Sequence, residues 1–480
     1  MAKFPIFSLL FSSLALLCLL SFLQQRFAHA LVEEEDEESI ESYPFHTLEL
    51  NSLLPSSTCN PSNEGLYKDG GYLKVSHEHG PCSPLKNKKA PTFVEILQRD
   101  QARFTRKRKG SASSSSSSIP TRTESTDSDI GNYVVKVGLG APKQQVTLTV
   151  DTGSDLIWTQ CKPCPICFKQ KDPIFDQSKS PTYSTVSCKT AVCSTKYIKG
   201  MEIGCTFPAT CTYTVAYGDG SISIGYLSKE RLTLTPSDVF NHVLFGCAQN
   251  SSGLSFDDST TDGILGLSPD PLSIYSQATK YSKKFSYCLP SKPTEIGFLK
   301  FGPTHPVSKG PFKFTKLYKY IEGDLSYHGI DLIGLKINGI KNPIHFPHPE
   351  RGSFIDSGAV ITRLPPTTYG ALRAAYRKLL SKTKYTFIGA LGIMDTCYST
   401  GRSKIIETPK ISFLFKSGVV LDLPPTGSAV FLNATVFCLP FAPLGSDREA
   451  PIFGNTQHKT LEVVYDGKRG KIGFGYGGCK

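Results

Sequence analysis

The alternating run Val146-Thr147-Leu148-Thr149-Val150 leads directly into Asp151-Thr152-Gly153-Ser154, and 205 positions later Phe354-Ile355 leads into Asp356-Ser357-Gly358. Such a run reads as a strand, and Asp followed by a hydroxyl residue and Gly is loop chemistry. Each copy therefore delivers a carboxylate from the end of a strand onto a tight turn. Apolar-apolar-Gly also occurs in each half, as Ile264-Leu265-Gly266 and Ile452-Phe453-Gly454. A chain carrying one device twice is constrained to two similar lobes. The 350 residues from Gly131 onward also exceed what a single core accommodates.

Paired carboxylates suit one chemistry in particular. An amide is a poor electrophile, so hydrolysis without a metal or covalent nucleophile needs one group to take a proton from water and another to give one to the carbonyl. Two aspartates held about 3 Å apart cannot both ionise, so one value falls, the other rises, and the pair rests monoanionic.

Asp-Thr-Gly-Ser-Asp-Leu-Ile-Trp at 151–158, with the single tryptophan Trp158, joins the second loop and the two Gly-ending pieces in a pattern that resembles the pepsin-like aspartic proteases. The resemblance implies an all-β, bilobal acid-protease fold, with a cleft between pseudo-twofold-related lobes and Asp151 and Asp356 as the catalytic pair. It also implies that Thr152 and Ser357 bond across the axis, and that Gly153, Ser154 and Gly358 support the loops. Strand, turn and strand over Thr212-Tyr213-Thr214-Val215, Tyr217-Gly218-Asp219-Gly220-Ser221 and Ile222-Ser223-Ile224 read as a hairpin. At this place the family has its flap, so Tyr217 and Gly218 are expected over the substrate. No cofactor and no metal is implied.

In most of the family a Ser or Thr follows each Asp-x-Gly and donates to the catalytic carboxylate. Ser154 does so in the first lobe, whereas Ala359 cannot in the second. Loss of a donor raises a carboxylate's pKa. Retroviral proteases and renin also carry Ala there, so the pair is expected to function while its acid range shifts.

Residues 1–30 hold Lys3, an apolar stretch from Phe4 to Leu23, and Ala28-His29-Ala30, which reads as a secretory signal peptide. A membrane anchor or a plastid transit peptide is the alternative. Residues 31–129 open with acidic Glu33 to Glu38 and close with Arg106-Lys107-Arg108-Lys109 and the serine tract Ser113 to Ser118. Helical periodicity lies between, over Thr92 to Phe104. The resemblance implies a propeptide that covers the cleft, cut at this junction; a disordered spacer is the bland reading. The lobes then span 130–305, with a Cys-rich insert, and 306–480. Helices are expected only over Pro271 to Tyr281 and Pro366 to Leu380 in these lobes.

Of fifteen cysteines, Cys18 lies in the signal and Cys59 and Cys82 in the next segment, leaving twelve from Cys161 onward. An even dozen in a chain with a secretory signal argues for disulfides. The crowding after the first motif resembles the nepenthesin-type branch, and pairs carried over by order are 161 with 164, 167 with 247, 188 with 211, 193 with 205, 288 with 479 and 397 with 438. Cys161-Lys-Pro-Cys164-Pro-Ile-Cys167 could also be metal ligands, but oxidised thiols do not bind zinc. Asn250-Ser251-Ser252 and Asn433-Ala434-Thr435 are glycosylation acceptors. Gly473-Phe-Gly475-Tyr-Gly477-Gly478 satisfies a dinucleotide pattern with no helix to follow it.

The chain carries a formal +12, with −2 in residues 1–130 and +14 beyond. That favours anionic surfaces such as wall polysaccharide or DNA. His77-Glu-His79-Gly80-Pro-Cys82-Ser83 and Arg99-Asp100-Gln101-Ala102-Arg103 extend the resemblance to proteases similar to the plant chloroplast nucleoid DNA-binding protein. The expectation is a secreted, monomeric endopeptidase of the apoplast acting on proteins or peptides, with plastid or vacuole as the other locations. A non-specific DNA-binding or inhibitor-like protein on the same scaffold is the alternative. No helix-turn-helix or zinc-finger pattern is present, so any nucleic-acid binding would be electrostatic.

Overall fold

Short alternating segments punctuated by Gly and Pro can bury one face only by packing sheet on sheet, and strands dominate the computed structural model. It describes residues 45–49, 58–61, 71–85, 91–105 and 130–479, apart from 195–199, 219, 254–260, 304–305, 309, 324, 339 and 402. The expected signal peptide, the acidic run at 33–38 and the basic and serine-rich junction at 106–118 lie outside the described residues. Among the described residues, no helix is long and apolar enough to cross a membrane.

Each half repeats one plan, which makes the fold bilobal and all-β. In the first, Gln144–Asp151 lies antiparallel to Tyr133–Leu139 and parallel to Gly263–Gly266, with Asp151 opposite Gly266. In the second, Ser353–Asp356 lies antiparallel to Leu325–Ile330 and parallel to Ile452–Gly454, with Asp356 opposite Gly454. The glycines are required because a Cβ on Gly266 would meet the Leu156 carbonyl oxygen at 2.7 Å, and one on Gly454 would meet the Ile361 carbonyl carbon at 2.4 Å.

One antiparallel sheet joins the halves. Its order is Tyr133–Leu139, Leu73–His77, Ile296–Phe301, Lys284–Cys288, Leu461–Asp466, Lys471–Tyr476 and Lys313–Glu322. Buried aromatics hold it together, with Phe285 stacked on Tyr465 at 4.2 Å between centroids. Leu73–His77 comes from ahead of residue 130, so the leading segment supplies an interior strand.

The Pro366–Leu380 helix forms where periodicity places it, burying Tyr369, Leu372, Tyr376 and Leu380, with Leu379 half-buried. Over 271–281 the helix shrinks to Ile274–Gln277, capped by Ser273, followed by a 3-10 turn at Thr279–Tyr281. The Phe93–Thr105 helix begins with a capping box. The Thr92 N–H donates to the Glu95 carboxylate at 2.6 Å, and the Glu95 N–H donates to the Thr92 hydroxyl at 3.3 Å.

Two of the six expected disulfides occur as paired, Cys288–Cys479 and Cys397–Cys438. The others re-pair as Cys161–Cys247, Cys164–Cys167, Cys188–Cys205 and Cys193–Cys211, and Cys59 joins Cys82. Strand adjacency explains the first correction. Trp158–Gln160 runs parallel to the strand containing Cys247, which brings the Cα atoms of Cys161 and Cys247 to 5.3 Å and leaves Cys164 and Cys167 to close their own short loop. In the insert, Cys205 and Cys211 face each other across a hairpin, and each reaches a different loop cysteine at Cα separations of 5.9 and 5.8 Å. The sulfurs of Cys188, Cys193 and Cys205 cluster within 4.8 Å because they belong to these neighbouring bridges.

Candidate active site

The two Asp-x-Gly loops meet where the halves face each other. The Thr152 N–H donates to the Ser357 hydroxyl at 3.0 Å, the Ser357 N–H donates to the Thr152 hydroxyl at 2.8 Å, and the Ser357 hydroxyl donates to the Val150 carbonyl at 3.1 Å. All are buried, so the reciprocal bonds fix one loop against the other. The approach is close enough to exclude side chains: a Cβ on Gly153 would lie 2.6 Å from the Asp356 carboxylate, and one on Gly358 would lie 2.5 Å from that of Asp151.

The carboxylates differ in what serves them. Asp151 accepts from the Ser154 hydroxyl at 2.5 Å and the Gly153 N–H at 2.8 Å. Asp356 accepts from the Gly358 N–H at 2.8 Å, and beside it Ala359 presents a buried methyl. Burial alone would raise both. For Asp151 the Arg103 guanidinium and the two donors outweigh burial and hold the carboxyl below its ordinary value. For Asp356 burial prevails, aided by the neighbouring Asp151 charge, and pushes it up to about 7.

Arg103 is the residue that sequence reasoning quoted but did not place. It projects from the Phe93–Thr105 helix, and one terminal nitrogen lies 3.1 Å from the Asp151 carboxylate and 3.4 Å from that of Asp356. The other donates to the Gly358 carbonyl at 2.9 Å. Basic residues on a short helix are ordinarily solvated; the signal lay in their neighbours, an apolar stripe of Phe93, Ile96 and Leu97 that needed a surface to cover. Asp155 was also missed. Buried beside Asp270 and accepting from the Ser268 hydroxyl, it is raised to about 8.

The hairpin of Thr210–Ala216 and Ile222–Thr235 carries Tyr217 and Gly218 over the cleft. The Trp158 ring N–H donates to the Tyr217 hydroxyl at 2.6 Å. A Cβ on Gly218 would lie 1.8 Å from the Arg103 carbonyl oxygen, so the hairpin lies directly on the helix. Asn433 sits at the turn before Val436–Cys438, half-buried, while Asn250 lies within a strand.

A bilobal β fold with two reciprocally bonded Asp-x-Gly loops defines the class of the pepsin-like aspartic proteases. Comparison with known proteins makes this specific. Residues 133–303 match the family model described as xylanase inhibitor N-terminal, and residues 327–476 the one described as xylanase inhibitor C-terminal. An aspartyl protease family protein of Arabidopsis thaliana is 43% identical over 90% of this chain and 93% of its own length. Nepenthesin-2 of Nepenthes gracilis is 30% identical over 78% of this chain and 84% of its own. Among solved structures, edgp (TM-score 0.60, 21% identity) and basic 7S globulin from soybean (TM-score 0.58, 20% identity) each cover 72% of this chain, and 91% and 93% of their own chains, and share its fold. The chain belongs to the plant pepsin-like aspartic protease family.

Proposed function

We propose that the protein is a secreted aspartic endopeptidase made as a self-blocked precursor, in which Asp151 and Asp356 hydrolyse peptide bonds through an activated water. The observation that carries this reading is the meeting of two carboxylates, delivered by the internal repeat, at one guanidinium from the leading segment. The arginine occupies the place a water needs, and the helix fills the cleft a peptide needs, which supports 31–129 as a propeptide.

With the helix withdrawn, the unequal donors assign the roles. Asp151 keeps the negative charge and takes a proton from water as its oxygen attacks the peptide carbonyl carbon. Asp356 holds the shared proton and gives it to the carbonyl oxygen. The tetrahedral species then loses its amine, which leaves with the proton held by Asp151, while Asp356 takes a proton back from the diol. Thr152, Gly153, Ser154, Ser357 and Gly358 keep the pair preorganised. Tyr217 and Gly218 close over the bound peptide.

The fourteen cysteines from Cys59 to Cys479, all bridged, support an oxidising compartment, and with the leader at 1–30 they favour the secretory route, leading to apoplast or vacuole, over the plastid. Asn433, at an exposed turn, is the better of the two glycosylation acceptors. The enzyme is expected to be a monomer needing no cofactor. Peptide cleavage across the acid range, with and without pepstatin, tests the proposal; absence of inhibitable cleavage would sink it.

A second reading, a binding or inhibitor-like protein on this scaffold, draws on the +14 of residues 131–480 and the description of the matching models. If the charge is incidental to a protease, retention on DNA falls steeply with salt and shows no sequence preference. Sequence-selective retention at physiological salt would instead favour the binding protein over the protease.

A further inference from the structure

Arg363 lies seven positions beyond Asp356, on the strand Thr362–Leu364, whose backbone is fixed by the parallel strand Phe441–Pro443 and by Ile452. Its side chain is 1% exposed. A buried guanidinium is costly unless paired, and the carboxylate paired with it comes from the helix: Asp100 accepts from one terminal nitrogen of Arg363, and the Gln101 side-chain oxygen accepts from the other. The second Asp100 oxygen accepts from the Val360 N–H at 2.7 Å. The second lobe thus supplies two donors that grip one carboxylate, while the helix supplies the carboxylate.

We propose that the guanidinium of Arg363 and the Val360 N–H form a subsite that selects an acidic side chain in the peptide substrate, and that Asp100 occupies it in the blocked form. The inference rests on the protease reading and adds a substrate class to it. Asp100 precedes Arg103 by three residues, and Arg103 marks the reacting position. Three residues of helix rise about 4.5 Å, little more than one residue of extended chain at about 3.3 Å. The acidic side chain is therefore expected within one or two residues of the scissile bond. The lobe's own wall beside it is apolar, since Val360, Met394 and Leu432 form the surface that Phe93, Ile96 and Leu97 of the helix cover. An uncharged amide of the same size accepts from Arg363 less strongly and lacks the second anionic oxygen for Val360.

The experiment uses the full chain, converted at acid pH, and peptides that carry Glu, Gln, Leu or Lys at each of three positions on both sides of the cleaved bond. Cleavage is compared above the ordinary glutamate value of about 4.3. At one or two positions Glu should exceed Gln by about tenfold or more in kcat/KM, and Arg363→Gln should bring that ratio close to one. In parallel, a synthetic peptide of residues 92–105 should inhibit the converted enzyme, and Asp100→Asn in it should weaken inhibition by a similar factor. Equal cleavage of Glu and Gln peptides at every position overturns the subsite alone, as does an Arg363→Gln enzyme that keeps the preference. Should Arg363→Gln fail to accumulate, the wild-type comparison of Glu with Gln still decides. Absence of pepstatin-sensitive cleavage of any peptide overturns the protease reading and the subsite with it.

Discussion

The loops at 151–154 and 356–359 share a backbone plan, down to a parallel strand ending in Gly opposite each aspartate, but they do not share their hydrogen-bond donors. A hydroxyl and an amide serve Asp151, whereas Asp356 has an amide and the Ala359 methyl. A duplicated fold thus holds its geometry symmetric and its electrostatics asymmetric. Two carboxylates that share one proton need no asymmetry to hold it; asymmetry settles which of them carries it.

The comparison can be broken most severely by removing either carboxylate. Asp151→Asn and Asp356→Asn preserve size, and each is expected to lower peptide cleavage by at least about 10²–10⁴-fold while leaving the fold intact. If either variant kept near wild-type turnover, the loops would not act as a pair.

Arg103→Gln sharpens the comparison through pH. Arg103 holds Asp151 below its ordinary value, so their pairing stabilises the blocked state fully above about 3.9 and is lost as pH falls through the depressed value. Asp356, raised to about 7, acts oppositely: the cost of its burial is absent near 4 and builds as pH rises towards 7. The wild-type precursor should therefore convert only on acidification below about 4, and Arg103→Gln should convert at higher pH by about one unit. A pH series resolved by gel electrophoresis reads this directly, and coincident profiles would remove Arg103 from control.

Restoring the hydroxyl makes the loops alike. Ala359 is fully buried against Tyr327, Phe354, Leu444 and Ile452, so Ser fits with less disturbance than Thr. A charge-assisted bond of about 1.5–3 kcal/mol before solvent compensation should lower Asp356, the upper value of the pair, by about one unit or less. The alkaline limb of the pH–rate profile should move down in Ala359→Ser. A limb that stays put, or rises, would show that the methyl does not set the asymmetry.

Trp158→Phe tests a feature that follows only the first loop, the ring N–H held to Tyr217. Loss of one neutral hydrogen bond, about 1 kcal/mol, predicts about a fivefold fall in kcat/KM, read with the same peptide. Unaltered kinetics would mean that the hairpin closes without that bond.

The parts legible in the sequence are those specified locally. Apolar alternation into Asp-x-Gly marks the loops, Gly-ending strands mark their neighbours, and periodicity marks the helix at 366–380 to the residue. Contacts between distant segments were not legible. Cys161 meets Cys247 because Trp158–Gln160 lies parallel to a strand some ninety positions on, a pairing that order along the chain does not contain. Arg103 and Asp100 look like ordinary charges on an amphipathic helix, and only docking of its apolar stripe turns them towards the dyad and Arg363. The strand at Leu73–His77 is too short to announce that it lies inside a sheet.

That strand also bears on covalent connectivity. Cys59–Cys82 closes within the leading segment, and the other six bridges begin at Cys161, so no bridge among the described cysteines spans residues 86–130. One cut past the helix, between residues 106 and 130, turns a single covalent molecule into two chains joined by sheet hydrogen bonds and a docked helix. Re-association of the blocking helix then ceases to be an intramolecular event at high effective concentration and becomes subject to dilution. After the same cut at the same pH, the block re-forms in a concentrated compartment and is lost in a dilute one.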